Sequence, residues 1–351
     1  MRQKAVIAMS GGVDSTVAAA LMAERGFECV GVTFKLFKGE SRCCSLRDVN
    51  DARCAAFNLG MAHYVINFAG DFEARVIKHF VETYERGGTP NPCIECNRGV
   101  KFNLPLLRSR LLDFDFIVTG HYARAGFDGA SGRWLLLKAS DGKKDQSYVL
   151  YCLTQEQLER ASFPLGELSK SEVRRIAQEK NLANASKGES QDICFVPSGD
   201  YGEFIEKYTG KDCPEGDIVG IDGKILGRHK GLIRYTIGQR RGLGVAANTP
   251  LYVTAKSLSN NTVTLGPDSA LYKKTLTAND INLIACADLK KPMRVTVKTR
   301  YSQEAQPALA EQTGDDSFVV EFDSPQRAIT PGQAAVLYDG DAVVGGGTIT
   351  G

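Results

Sequence analysis

The sequence predicts an α/β N-terminal region built on a parallel sheet, followed by β-rich, antiparallel or barrel-like domains. Two observations predict this. Across the first 125 residues, short β-rich runs alternate with helical patterns of 10–15 residues, which is the signature of βαβ units. After about Tyr208, turn residues recur every 8–12 positions between short apolar runs, which reads as small antiparallel domains or barrels. The length of 351 residues leaves room for two or three domains, and 43% hydrophobic with 24% charged residues is ordinary globular composition.

Taken in order, Lys4–Ala8 reads as a buried strand and Asp14–Glu24 as a helix, with Val17 and Leu21 at helical spacing and Gly26 ending it. Cys29–Phe34 is a second strand. Ser45 caps a helix running to about Leu59, and Tyr64–Phe68 is a third strand. Asp71 to Glu85 reads as a helix, and the Gly-, Pro- and Asn-rich stretch from Gly87 to Asn97 as a loop. Phe102–Leu112 is helical and Phe114–Thr119 a strand. Residues 122–140 form a hairpin excursion around Asp128–Gly132, and helical patterns return at Gln146–Leu153, Gln155–Ala161 and Lys170–Lys180. Beyond the change of texture, Tyr252–Thr254, Thr262–Leu265, Met293–Val297, Phe318–Phe322 and Ala334–Tyr338 read as strands.

No stretch approaches the roughly 18 apolar residues of a membrane span. The N-terminal apolar run Ala5–Met9 is too short for a secretory signal. A cytoplasmic protein with reduced thiols is therefore expected, so its ten cysteines read as metal or catalytic candidates before disulfides. A net charge of +2 argues against a protein that coats DNA, but it hides an uneven distribution. Gly223 to Pro267 holds no Asp or Glu, yet carries Lys224, Arg228, Lys230, Arg234, Arg240, Arg241 and Lys256, with His229, Tyr235 and Tyr252 interleaved. Lys290, Lys291, Arg294, Lys298 and Arg300 form a second such stretch. Either is a phosphate-binding face for RNA or a solvated basic face.

The sharpest motif is Ala8-Met9-Ser10-Gly11-Gly12-Val13-Asp14-Ser15, which follows a strand and opens a helix. A helix N-terminus offers unpaired N–H groups and a positive dipole end, glycines admit a phosphate closely, and serine hydroxyls can donate to it. No Gly-Lys-Ser/Thr follows, so this is not a Walker A loop. The bland alternative is an ordinary strand–helix turn. The second motif is Asn91-Pro92-Cys93-Ile94-Glu95-Cys96, joined by a distant Cys194. A reduced Cys-x-x-Cys is open to a structural zinc site, a redox pair or an iron–sulfur site. Cys29 and Cys152 read as core. Cys54 lies on a predicted helix, Cys213 and Cys286 are isolated, and Cys43-Cys44 lie in a loop.

Ser-Gly-Gly-x-Asp-Ser after the first strand resembles the PP-loop ATP pyrophosphatases, which cleave ATP between the α and β phosphates. The chain as a whole resembles the tRNA-specific 2-thiouridylase family. The matching stretches are Ser10–Ser15, Thr89–Asn97, Gly120-His121-Tyr122-Ala123, Lys144–Tyr148, Ile193-Cys194-Phe195, Gly238–Gly244, Arg300-Tyr301 and Pro325–Gln333. The resemblance implies a PP-loop domain (1–205), a central tRNA-binding domain (206–275) and a C-terminal β-barrel (276–351). It implies ATP-dependent 2-thiolation of the wobble uridine of tRNAs for Lys, Glu and Gln, with ATP and Mg²⁺ as cofactors. The partners would be tRNA and a sulfur donor: a cysteine desulfurase, a relay protein or sulfide. By position, Ala8 to Ser15, Phe34 and Gly120 would hold ATP. Asn91, Pro92 and Cys93 would meet the target base. Cys96 and Cys194 would be catalytic. His121, Lys144, Asp145, Gln146, Arg240, Arg241, Arg300, Tyr301 and Gln333 would contact tRNA. Some members carry Asp where this chain has Cys93, so Cys93, Cys96 and Cys194 are also expected as ligands of a 4Fe–4S cluster, in competition with a persulfide route through Cys194 and Cys96. Two other readings stand beside this one. A PP-loop ligase acting on a small metabolite would need neither thiol, and a non-enzymatic RNA-binding barrel would need no intact Ser-Gly-Gly-Val-Asp-Ser.

Overall fold

The computed structural model describes residues 2–37, 45–103, 105, 114–182, 184, 185, 187, 193–289 and 291–351. Cys43-Cys44, most of the helix expected at 102–112, residues 190–192 before Cys194, and Lys290 lie outside the described residues.

The N-terminal sheet is wholly parallel. Its strands are β1 (Lys4–Ala8), β2 (Glu28–Lys35), β3 (Ala62–Asn67), β4 (Phe116–Val118) and β7 (Ala161–Ser162), in the order β3-β2-β1-β4-β7. β1 is central and buried because Ala5, Val6 and Ile7 meet apolar layers on both faces. Helix α1 (Val13–Glu24) and helix α2 (Leu46–Asn58) lie on the face lined by Val17, Ala52 and Ala56. Ser45 starts α2 through a capping box with Asp48, its hydroxyl accepting from the Asp48 N–H at 3.2 Å. The other face is covered by Phe72, Val76, Phe80 and Phe195.

Two sequence expectations change, and a third gains an unexpected partner. The helix expected at 71–85 is present, but its turn Glu73–Ile77 is a π-helix, between Ala69–Phe72 and Lys78–Glu85. The loop expected from Gly87 to Asn97 contains a helix, Pro92–Cys96, continued by a π turn at Asn97–Lys101. Asn91 caps it by accepting from the Cys93 N–H, and Pro92 at the first helical position loses no hydrogen bond there. The hairpin of β5 (Arg124–Asp128) and β6 (Arg133–Leu137) is present but does not join the parallel sheet. It leaves the N-terminal domain and pairs, through Leu137, with Ala342 of the last strand.

A small four-stranded sheet follows, with β8 (Gly216–Gly220), β9 (Ile225–His229), β10 (Tyr252–Ser257) and β11 (Thr262–Gly266) in the order β10-β11-β8-β9. Ile218, Val253, Val263 and Leu265 form its core. The C-terminal strands are β12 (Tyr272–Leu283), β13 (Met293–Lys298), β14 (Gln306–Gly314), β15 (Ser317–Arg327), β16 (Ala334–Asp339) and β17 (Ala342–Ile349). They run β12-β15-β14-β13-β16-β17 and close through β12–β17, a six-stranded barrel. Its inward positions alternate along each strand, bringing Val295, Val297, Ala308, Ala310, Phe318, Val320 and Phe322 together. None of the described helices is long and apolar enough to cross a membrane.

Candidate functional site

The turn from Met9 to Ser15 is shaped by contacts from three distant segments. Gly11 has φ +74°, and a Cβ there would lie 2.3 Å from the Asp48 carbonyl oxygen, so only glycine fits. Ser10 N–H donates to Ser15 Oγ at 3.2 Å, while the Ser15 and Thr16 hydroxyls donate to the Gly12 carbonyl at 3.1 and 3.0 Å. Gly12, which precedes α1, has no side chain to cap the helix, so the first turn gets no N-cap bond from it. Gly120, at the end of β4, backs the loop; a Cβ there would sit 2.8 Å from the Ser15 nitrogen.

Four residues that sequence reasoning did not assign to the site hold this loop. Asn184 Nδ2 donates to the Gly11 and Gly12 carbonyls at 3.2 and 3.1 Å and to Thr16 Oγ1 at 2.7 Å. Lys187 Nζ reaches the Gly11 carbonyl at 3.2 Å and the carboxylates of Asp48 and Asp51 at 2.6 and 2.8 Å. Burial pushes the Asp48 carboxyl up, but hydrogen bonds from Lys187 and Ser45 prevail, and it lies below its ordinary range. Asp14, the one carboxylate of the motif, is gripped by Lys170 Nζ at 2.7 and 2.8 Å and by the Tyr122 hydroxyl at 2.9 Å. No spacing rule links positions 122, 170, 184 and 187 to position 14. The signals present were the Gly-His-Tyr-Ala motif for Tyr122 and the Ser169 cap that places Lys170 at the head of a helix. Phe34 is buried at the end of β2, 5.4 Å from the Phe68 ring.

Cys96 is buried in the apolar cluster of Phe80, Val100 and Phe195, and Cys194 packs against the same cluster. Two thiols almost a hundred residues apart in sequence thus belong to one large apolar cluster. Cys93, one turn earlier on the short helix, is exposed. Among the described residues, no three His, Cys, Asp or Glu side chains are gathered closely enough to hold a metal. Burial pushes the thiols of Cys29 and Cys213 up to about 11 and that of Cys152 up to about 12, so these three stay protonated at neutral pH.

The residues expected at tRNA divide into two groups. His121 is buried between Phe102 and Phe163, with Nδ1 2.8 Å from Thr119 Oγ1. Burial, aided by Lys101, keeps the imidazole well below its usual value and therefore neutral. Asp145 is buried and accepts from the Ala139 N–H, the Ser147 N–H and the Ser147 hydroxyl. Gln146 Oε1 accepts from the Tyr122 N–H, and Arg300 Nη2 donates to the Arg327 and Ala328 carbonyls. Gln333 Nε2 donates to the Thr89 carbonyl at 2.8 Å. In this geometry all five face protein. Lys144 is half-buried and Tyr301 exposed, its ring edge-on to Tyr148.

The basic stretch 223–267 also resolves. Lys224, Arg228 and Arg234 pair with Asp222, with Glu215 and Asp217, and with Asp200 and Glu206. Lys256 donates to the Tyr235 carbonyl, and burial pushes its ammonium down to about 8. Lys230, Arg240 and Arg241 are exposed and make no ion pair with any described residue. Arg240 borders a cavity of about 570 Å³ walled by Gly242 to Leu251.

Fold and site together define a PP-loop chain of the HUP type, carrying a buried thiol beside its parallel sheet and followed by a small β-sheet domain and a closed β-barrel. The comparisons with known proteins agree. A tRNA methyl transferase HUP domain matches residues 3–198, a tRNA methyl transferase PRC-barrel domain 202–267, and an aminomethyltransferase beta-barrel domain 273–349. A tRNA-specific 2-thiouridylase MnmA of Clostridioides difficile is 46% identical over 355 residues, covering 99% of this chain and 98% of that protein. Those of Acetivibrio thermocellus and Heliobacterium modesticaldum are 48% and 49% identical, each over 99% of this chain and over 99% and 93% of their own length. The chain belongs to the tRNA-specific 2-thiouridylase family.

Proposed function

We propose that the protein thiolates uridine in tRNA at C2 at the expense of ATP, the wobble uridine of tRNAs for Lys, Glu and Gln being the expected target. The observation that carries this reading is the pairing of an intact Ser10–Ser15 loop with a buried Cys96 and a half-buried Cys194 in one apolar cluster on the same sheet. The loop suits ATP, since the uncapped N–H groups of α1 and the hydroxyls of Ser10 and Ser15 form a phosphate cradle. Asp14 is the carboxylate placed to meet Mg²⁺, which would neutralise the leaving pyrophosphate. Lys170 would then release Asp14 or follow it to the phosphates.

The uracil O2 attacks the α phosphorus, and the bond to the β-phosphate oxygen breaks, releasing pyrophosphate. The terminal sulfur of a persulfide on Cys194 then attacks C2, and AMP departs with the former O2. The Cys96 thiolate attacks Cys194 Sγ, which frees the thiolated base and leaves a Cys96–Cys194 disulfide. A dithiol reductant supplies two electrons to restore the thiols, and a persulfide-bearing donor (cysteine desulfurase or relay protein) reloads Cys194 by passing its terminal sulfur to the thiolate, the donor's own thiol leaving; sulfide would instead have to attack C2 directly. Asn91, Pro92 and Cys93 would form a wall for the flipped base, and Arg240 and Arg241 the exposed charge for the RNA backbone. A second reading, a 4Fe–4S cluster on Cys93, Cys96 and Cys194, is supported by Cys93 and Cys96 lying three residues apart on one helix.

AMP and pyrophosphate release tests the activity. With a sulfur donor, both should form in step with 2-thiouridine and only when unmodified tRNA is added. Release driven by a small metabolite without tRNA would favour the ligase reading.

A further inference from the structure

The segment that carries both Cys93 and Cys96 is fastened to the C-terminal barrel at each end. At its start, the Thr89 N–H donates to the Pro331 carbonyl at 2.8 Å, and Gln333 Nε2 donates to the Thr89 carbonyl at 2.8 Å. Gly332, with φ +88°, permits this approach; a Cβ there would lie 2.9 Å from the Thr89 nitrogen. Gln333 is itself fixed, because its carbonyl accepts from Ile349 in β17. At the far end, Arg98 Nη1 pairs with Asp280 Oδ2 of β12, with Glu95 at 3.7 Å. Asp280 sits at φ +51°, a left-handed backbone position that presents its carboxylate to Arg98. Between the two ends, Asn97 Nδ2 donates to the Val149 carbonyl, and Asn282 of β12 donates to the Tyr151 and Leu153 carbonyls. The thiol segment thus rests on a layer that the barrel also holds.

We propose that Gln333 and Asp280 are positioning residues: two barrel straps that hold segment 89–98 so that Cys96 meets its reaction partner. The proposal rests on the reading of Cys96 as a sulfur-transfer thiol. It gives the barrel a part in the chemistry and assigns the Gln333 amide to Thr89 rather than to RNA. The two straps are independent, since one is a neutral hydrogen bond and the other an ion pair at the opposite end.

Gln333→Glu removes the donor and sets a carboxylate against the Thr89 carbonyl. Asp280→Asn removes the charge while keeping a residue that tolerates the left-handed backbone, on an exposed side chain whose loss leaves the barrel intact. Three quantities are measured in the full-length protein: hydrogen exchange of peptides spanning 88–98, the single-turnover thiolation rate at saturating tRNA, and tRNA affinity. Each variant should speed exchange of the segment and slow thiolation by about fivefold, the effect of one net hydrogen bond. The double variant should multiply the two effects, and tRNA affinity should stay within twofold. Unchanged exchange in both variants would overturn the proposal. So would a Gln333→Glu enzyme that binds tRNA tenfold more weakly yet turns over normally once saturated. If the wild-type protein thiolated no tRNA, the functional reading would fall, and hydrogen exchange alone would still decide whether the straps exist.

Discussion

Asn184 offers the most informative single substitution. Its amide nitrogen has two hydrogens and three acceptors, Thr16 Oγ1 at 2.7 Å and the Gly11 and Gly12 carbonyls at 3.2 and 3.1 Å, while its own Oδ1 is buried without a partner. Asn184→Ala forfeits two bonds at about 1 kcal/mol each and relieves a buried orphan oxygen costing about 1 kcal/mol, a net loss of about 1 kcal/mol. Asn184→Asp forfeits the same bonds and adds a carboxylate facing two carbonyl oxygens. Its loss should be about 3 kcal/mol. The assay is hydrogen exchange of peptides covering residues 10–20, where the Thr16 N–H is held by the Gly12 carbonyl. Exchange should quicken about fivefold in the Ala variant and more than a hundredfold in the Asp variant. ATP binding should weaken in the same order. An Asp variant as protected as the Ala variant would show that Asn184 does not hold the loop through its donor.

Gly11→Ala forces a Cβ into the Asp48 carbonyl at a left-handed backbone position; ATP binding should be lost while the barrel keeps its circular dichroism. Lys256 has a folded-state value pushed down to about 8, so the buried charge costs stability below that pH and the cost fades as pH rises toward the ordinary lysine value. Lys256→Met should therefore raise the unfolding free energy from urea titration at pH 6–7 by about 1–2 kcal/mol, because the side chain is not fully enclosed, and the advantage should shrink above pH 8. A constant advantage across pH would refute this. Arg240→Glu with Arg241→Glu should weaken tRNA binding and reduce the slope of log affinity against log salt by about two. An unchanged slope in filter binding would remove these residues from the RNA face.

Much of the fold could be read from local signals. The Ser45–Asp48 capping box, the apolar run of β1 and the Gly11–Gly12 turn each depend on a few neighbouring residues, and each sits where expected. The helix Pro92–Cys96 was hidden by composition, since Pro, Asn and Gly suggested a loop. Yet Asn91 followed by Pro92 is itself a helix start. The partner of the β5–β6 hairpin could not be read at all, because Leu137 meets Ala342 across a whole intervening domain. Charge behaved similarly. The acid-free stretch looked uniformly basic, but Asp200, Glu206, Glu215 and Asp217 come from outside it to take up Arg234 and Arg228. The thiols were legible as residues, and the apolar cluster that Cys96 and Cys194 share follows only from the fold.

The most direct test is anaerobic thiolation of unmodified tRNA with ATP and a persulfide-loaded donor, comparing wild type, Cys93→Ala, Cys96→Ala and Cys194→Ala, with iron measured in each. Wild type should yield 2-thiouridine. Cys96→Ala and Cys194→Ala should yield none, while Cys93→Ala keeps activity. Full activity in Cys96→Ala and Cys194→Ala would contradict the sulfur-transfer role of the thiol pair. Loss of activity in all three variants, with iron bound to wild type alone, would replace it with the cluster.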